Sequence, residues 1–503
     1  MERPLSKSQF VRGMQCPKSL YLYRNHSDLR DETSASQQAI FDAGTEVGIL
    51  AQSWIGGGVL IKADHRNPQA ALDETAAAIA AGASVLYEAA FLHDGVLIRT
   101  DILAKNPEKN WDLYEVKSTT AVEDEHLHDV AVQRYVLAGA GLKLGKAHLV
   151  HLDPGYVRYG ALNLQKLFKA EDVTAQTDGL LAMVPAHLAK MKAVAAAAEA
   201  PEIGIGAHCE KPHKCDFYGN CWAHVPEYSV FDIPYAKMDK KLELFNRGVH
   251  RVDQVNPTLA GLTDKRSIRA VEVARLGKPV VDKQAISAFL NQLVYPIAHL
   301  DFETNNPPVP PYDGLRPYSQ MPFQAVVCVQ DEPGAPVVEH GFLGDGLADP
   351  RAALIDWLVQ TIPRAGSVLA YHKSFEAGRL EELAPSVGLG GSAADKFLLK
   401  MVDRLADLAD PFRTNAYTHP GFKGRWSIKA VLPVLVPSMK YEGLEIGEGT
   451  AAMAAYAKLR DPELPTDERE RLMNALKIYC AQDVNAMVKI LAHLYEVTGA
   501  VTA

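Results

Sequence analysis

Four of the six cysteines in this 503-residue chain form a pattern of one and three. Cys16 stands near the start; Cys209, Cys215 and Cys221 follow together, with five residues between neighbours. If these thiolates share one centre, both ends of the same domain are tied to it, which restricts that domain more than any local signal. Structural zinc sites favour ligand pairs two to four residues apart, whereas thiolates set more widely suit an iron–sulfur cluster. Zinc completed by His208 or His213, or thiols without any ligand, remain as alternatives. Cys328 and Cys480 lie on an expected strand and helix and read as small apolar core residues.

The rest of the composition narrows the setting. The opening, MERPLSKSQFVRGMQC, lacks the apolar run of a signal peptide, and no apolar stretch is long enough to span a bilayer. A cytoplasmic address is expected, with no membrane partner, and disulfides are disfavoured there. A formal charge of −9 argues against a basic coat protein of nucleic acid. It does not argue against an enzyme whose acids hold metal ions. Any nucleic-acid contact then rests on local basic strips, for which Arg425, Lys429 and Lys440 are candidates.

Length predicts two to four domains, and the pattern predicts three parts. From 85 to 119 the residues alternate as strands, VLYEAAF, VLIRTDIL and WDLYEVKST, with a His93-Asp94-Gly95 turn. Helices are expected over about 124–142 and 164–199, before the cysteine-rich loop at 208–222. Residues 1–225 form the first domain. Residues 226–294 read as a helical connector. From 295 to 503, three strands leading into alternating helix and strand make an α/β domain compatible with the ribonuclease H-like fold.

Two acid sets stand out. Glu115 and Lys117 lie two apart on one strand and so share a face, and Asp101 ends the neighbouring strand. Two carboxylates can hold Mg²⁺ or Mn²⁺, while a lysine orients water or offsets charge; a solvated strand face with an ion pair is the alternative. In the last part, Asp301 and Glu303 share a strand face, and Glu376 falls in the first turn of the following helix. Tyr479 and Asp483 are an i, i+4 pair on the final helix. Four acids and a tyrosine converging suit hydrolysis by two metal ions, with the tyrosine aligning the water. Asp407 and Asp410 are further loop acids.

Residues 1–225 resemble the RecB-like branch of the PD-(D/E)XK nucleases. The resemblance rests on Leu5-Ser-Lys-Ser-Gln-Phe with Cys16-Pro17, on Asp101, on Glu115-Val-Lys117, and on Asp129-Val-Ala-Val-Gln133-Arg-Tyr135. It implies a restriction-endonuclease-like α/β domain, a site of Asp101, Glu115, Lys117, Gln133 and Tyr135, and a [4Fe-4S] cluster on Cys16, Cys209, Cys215 and Cys221. The branch usually carries a histidine ligand where this chain has Gly48, so either the remaining groups hold metal, helped by Glu46 or Glu88, or the site is weakened. Residues 295–500 resemble the DnaQ-like exonucleases whose last motif is tyrosine, three residues, aspartate. That implies metal binding by Asp301, Glu303, Glu376 and Asp483 with Tyr479, although Glu376 stands where the family has aspartate. The order of parts is similar to an uncharacterised bacterial family. DNA ends or single strands are the implied substrate, in repair, recombination or defence; an RNA exonuclease and a nucleic-acid-binding adaptor with decayed sites are the alternatives.

Overall fold

Ser6 closes a two-residue strand, β1 (Leu5–Ser6), and caps the first helix, α1 (Lys7–Gln15). Its hydroxyl accepts the Gln9 N–H while the Gln9 side chain accepts the Ser6 N–H, so two otherwise unpaired donors are satisfied reciprocally. Cys16 ends α1 in extended backbone and opens α2 (Pro17–Asn25), where proline suits the first helical position. The computed structural model describes residues 4–64, 66–384, 391–439, 441 and 443–499. Lys440 lies outside the described residues.

The chain divides into two compact units of mixed α/β structure, Met1–His224 with Pro307–Ser319, and Val225–Asn306 with Gln320–Ala503. In the first unit, α3 (Ala35–Ile55), β2 (Val59–Leu60) and α4 (Pro68–Ala80) lead to the meander β3 (Val85–His93), β4 (Val96–Lys105) and β5 (Trp111–Val116). Asp94 and Gly95 both have positive φ, which the tight turn between β3 and β4 requires. Then follow α5 (Asp124–Gly139), β6 (Leu144–Leu152) and β7 (Phe168–Asp172). The sheet runs β2-β3-β4-β5-β6-β7, with β1 parallel to β4 off this path. Leu113 and Leu149 of the sheet pack with Val130 and Leu137 of α5 in one buried cluster.

The helix expected over 164–199 is interrupted. Phe168–Asp172 pairs antiparallel with β6, burying Phe168 beside Leu152, and helix resumes at Thr174–Leu181 and Val184–Ala196. An open sheet edge outweighs weak helix propensity there. The Pro307–Ser319 segment also belongs to this unit: Arg158 donates to the carbonyls of Pro310 and Pro311 at 3.0 and 2.7 Å, and Tyr318 donates to the Ser118 carbonyl.

The second unit contains the stretch 226–294, with helices Met238–Asn246, Lys265–Leu276 and Lys283–Leu290 and the short strand β8 (Val280–Val281). Its main sheet is built from β9 (Ile297–Asn305), β10 (Met321–Gln330), β11 (Val337–Leu343), β12 (Val368–Ala370) and β13 (Leu405–Asp407); β14 (Tyr417–Thr418) pairs with β8. The order is β11-β10-β9-β12-β13, antiparallel among the first three and parallel among the last three. Alternation along β9 buries both faces. Ala298, Leu300 and Phe302 face one core with Leu354 and Leu380; Ile297 joins the other, with Val484 and Met487 of the long helix Thr466–Thr498. Among the described residues no helix is long and apolar enough to cross a membrane.

Candidate active sites

In the second unit the parity of β9 puts Asp301 and Glu303 on the face covered by the Thr466–Thr498 helix, whose Asp483 reaches the same point. One carboxylate oxygen from each of the three lies within 4.8 Å of the others, close enough to share a cation. Glu303 and Asp483 are buried, and among the described residues none of the three acids is in a salt bridge with lysine or arginine. Burial together with the Asp483 charge therefore pushes Glu303 up to about 8. Burial, then Asp483, Glu303 and Glu376, push Asp301 well above the carboxylate range. Burial also raises Asp483, opposed by the Tyr441 hydroxyl, by Lys429 and by the Tyr479 hydroxyl. Acids crowded out of water in this way hold protons unless a cation takes their place.

Neighbouring groups shape this cluster. Tyr441 donates to Asp483 Oδ1. Lys429 Nζ donates to the Gly447 carbonyl at 2.9 Å and to the Tyr479 oxygen at 3.4 Å, and it lies 5.4 Å from the ring centroids of both Tyr441 and Tyr479. The Cys480 thiol donates weakly to Asp301 Oδ2 at 3.7 Å. Glu376, in the first turn of the helix Ser374–Leu383, is buried, and its Oε2 has no hydrogen-bond partner; burial pushes it up to about 8. Asp407 Oδ1 accepts the backbone N–H groups of His372 and Ala409, and its charge adds to the raised pKa of Glu376, while Asp410 pairs with Arg413. His299, two residues before Asp301 on the same strand face, is fully buried with no partner for either ring nitrogen, and burial holds it neutral, near 3.

In the first unit, β4 and β5 bring Asp101 beside Glu115. Asp101 Oδ2 accepts the Val116 N–H at 2.7 Å. Glu115, fully buried, takes Lys117 Nζ at 2.8 Å and Lys7 Nζ at 2.7 Å on Oε1, and Gln133 Nε2 at 2.7 Å on Oε2. Lys117 also donates to Asp129 at 2.5 Å. Burial alone would raise Glu115, but the ammonium groups of Lys117 and Lys7 outweigh it and hold its carboxyl below the ordinary range. Asp101 goes the other way, pushed up to about 7 by burial and by Glu115.

Tyr135 is not part of this cluster. It lies roughly opposite Gln133 on α5, packs in a tilted arrangement against the His93 ring and donates to Asp94 at 3.2 Å. Glu46 is exposed on α3, and Glu88 pairs with Arg99 at 3.4 Å. Lys7 and Asp129 are the members that the sequence reading did not assign to the site. The i, i+4 spacing of Asp129 and Gln133 was a readable signal for one of them. Glu123, Glu125 and His126 also lie close together, but His126 Nδ1 accepts the Glu123 N–H at 3.2 Å, which makes the ring part of the α5 cap.

All four cysteines of the one-and-three pattern line a single hollow, together with Lys18, Ser19 and His208. None is in a disulfide. Gln15 fastens the late loop by donating to the carbonyls of His208 and His213, each at 2.8 Å. Backbone N–H groups of Lys18 and Ser19 point at Cys16 from the start of α2. Cys328 and Cys480 are fully buried in the second unit.

Residues 298–427 match a family described as a domain of unknown function, DUF2779. The matched stretch contains Asp301, Glu303 and Glu376 and stops before Tyr479 and Asp483. An uncharacterized protein of Ureaplasma parvum is 26% identical over 211 residues, 38% of this chain and 30% of that protein. An uncharacterized protein of Mycoplasma genitalium is 27% identical over 222 residues, 41% of this chain and 33% of that protein. The chain therefore spans about a third of the length of the curated relatives it matches.

Proposed function

We propose that this protein is a metal-dependent nuclease acting on DNA ends or single strands, with its main hydrolytic centre in the second unit. The observation that carries this reading is the convergence of Asp301, Glu303 and Asp483 to within 4.8 Å, the last two buried and, among the described residues, none of the three in a lysine or arginine ion pair. A Mg²⁺ or Mn²⁺ bound there would polarise the phosphodiester and lower the pKa of a water nucleophile. Asp301, Glu303 and Asp483 would hold the ion, and the unpartnered Glu376 oxygen would be available for a second. Tyr479 orients the attacking water. Lys429, fixed by the Gly447 carbonyl and Tyr479, presents positive charge where phosphate charge builds up. A sheet of three antiparallel strands continued by two parallel ones supports the ribonuclease H-like fold, and with it 3′ to 5′ trimming by this DnaQ-like centre.

The first unit is a second, RecB-like centre in this reading, with Asp101 and Glu115 as metal ligands and Lys117 and Gln133 beside them. Its cysteines fit a [4Fe-4S] cluster better than zinc. Sulfurs around tetrahedral zinc at about 2.3 Å would lie about 3.8 Å apart, yet among the described residues no three of these thiols fall within 4.8 Å of one another. Cys16, Cys209, Cys215 and Cys221 would hold the cluster as a staple between the ends of the unit.

The test is cleavage of end-labelled single- and double-stranded DNA and RNA under reducing, anaerobic conditions with Mg²⁺ or Mn²⁺. Wild type is compared with Asp301→Ala and Asp101→Ala. Release of single nucleotides from 3′ ends, lost in Asp301→Ala, is expected. Preference for RNA would move the reading to an RNA exonuclease. Binding without cleavage of any substrate would leave a nucleic-acid-binding adaptor.

A further inference from the structure

The first unit contains a lysine that its metal chemistry does not need. Lys117 already compensates Glu115, but Lys7 reaches the same Oε1, at 2.7 Å against 2.8 Å, and stands 3.7 Å from Asp129 Oδ1. Its position is built in. The β1–β4 pairing sets Leu5 and Ser6 against Val96 and Leu97, and the capping box at Ser6 fixes the first turn of α1. Glu115 Oε2 is occupied by Gln133. Gly48 on α3, where the resembled branch carries a histidine, brings no side chain to the centre, and a Cβ there would begin in open space with no atom within 4 Å.

An oxygen that accepts two ammonium donors offers a cation little, and a positive charge on that oxygen repels one. We propose that Lys7 is a tethered cation that competes with the divalent ion for Glu115, and so sets the metal requirement of the amino-terminal centre. The inference rests on the reading of Asp101 and Glu115 as metal ligands. It makes the two centres unequal: the second unit binds its ion at low concentration, and the first only when the ion displaces Lys7 from Glu115 Oε1. Lys7 is thus a positioning residue that acts through Glu115.

The experiment is Mn²⁺ titration of the full chain, followed by the electron paramagnetic resonance signal of the free ion, in an Asp301→Asn, Glu303→Gln background that silences the second unit. Lys7→Met is expected to tighten Asp101-dependent Mn²⁺ binding by about tenfold, and Lys7→Arg, which keeps the charge, to leave it unchanged. Lys7→Gln gives the same direction as Lys7→Met and serves if the latter does not fold. A lysine that merely pins α1 predicts the opposite, since loosening the site weakens binding. Unchanged or weaker binding in both neutral variants overturns the proposal while leaving the metal centre in place. If no Asp101-dependent binding occurs in any variant, the reading of the acids as metal ligands falls and takes the inference with it.

Discussion

The two acid clusters use similar side chains and reach opposite electrostatic solutions. In the first unit Glu115 and Asp129 are matched by Lys7 and Lys117 at hydrogen-bond or ion-pair distance, so the centre carries its own counter-charge. In the second, Asp301, Glu303 and Asp483 crowd together with no lysine or arginine ion pair among the described residues, and their proton affinities rise instead. One cluster is closed by the polypeptide; the other stays incomplete without a proton or an external cation. Burial is common to both, so the difference comes from which elements deliver cations: α1 and the end of β5 do so in the first unit, whereas in the second, among the described residues, Lys429 approaches the acids without forming an ion pair.

The largest effect should come from the incomplete cluster. If the proposed reading holds, Asp301→Ala removes a metal ligand, and metal-dependent cleavage should fall on the order of a thousandfold, measured as initial rate on a 3′-labelled single strand. A fall below tenfold would break the contrast. Next, if the proposed cluster is bound, Cys16→Ser should release iron and lower the stability of the first unit by about 3–5 kcal/mol, the scale for losing a cross-link over so long a loop. The second unit should keep its unfolding midpoint in denaturant, so separate transitions would report the effect.

A pH series sharpens the comparison. In the metal-free second unit, Glu303 and Glu376 titrate near 8 when folded and near the ordinary 4.5 when unfolded, and Asp301 is raised as well. The folded state therefore holds protons that the unfolded chain has released, and stability should fall as pH rises from about 4.5 to 8. Saturating Mn²⁺ should flatten that slope. Glu115 has the opposite sign, since its depressed pKa stabilises the first unit above the unfolded pKa and is lost on acidification, while Asp101, raised to about 7, runs with the second unit. The smallest effects separate two residues on one helix. Gln133→Leu leaves a buried Glu115 oxygen unpaired and should cost about 1–3 kcal/mol, whereas Tyr135→Phe removes a half-exposed hydroxyl and should stay within about 0.5 kcal/mol by denaturant titration.

Much of both clusters was legible because it depends on short-range periodicity. Asp301 with Glu303, and Glu115 with Lys117, share a face by strand parity. Tyr479 and Asp483 share one by helical spacing. Gln133 is in place for the same reason, and Tyr135, two residues on, is carried to another face of α5. Lys7 was not legible, because its partner is 108 residues away and the meeting depends on β1 pairing with β4. Tyr441 escaped notice similarly, arriving from irregular chain to hold Asp483. The strand at Phe168–Asp172 escaped because only the free edge of β6 makes it a strand. Periodicity shows what a residue's own element does with it, and misses what a distant element brings.

The chain crosses between its units three times, because the connection from β9 to β10 passes through Pro307–Ser319 of the first. No single cut in the gene can therefore yield either unit whole. A fragment ending near residue 224 would lack Val309 and Tyr318, baring the apolar cluster around Tyr87 and Leu152 and leaving Arg158 without the Pro310 and Pro311 carbonyls. A fragment beginning at 225 would keep the full β9–β10 pair but carry thirteen residues with nothing to fold against. Splitting the protein to test the proposed activities would damage both halves, so the test is better made by point substitution in the intact chain.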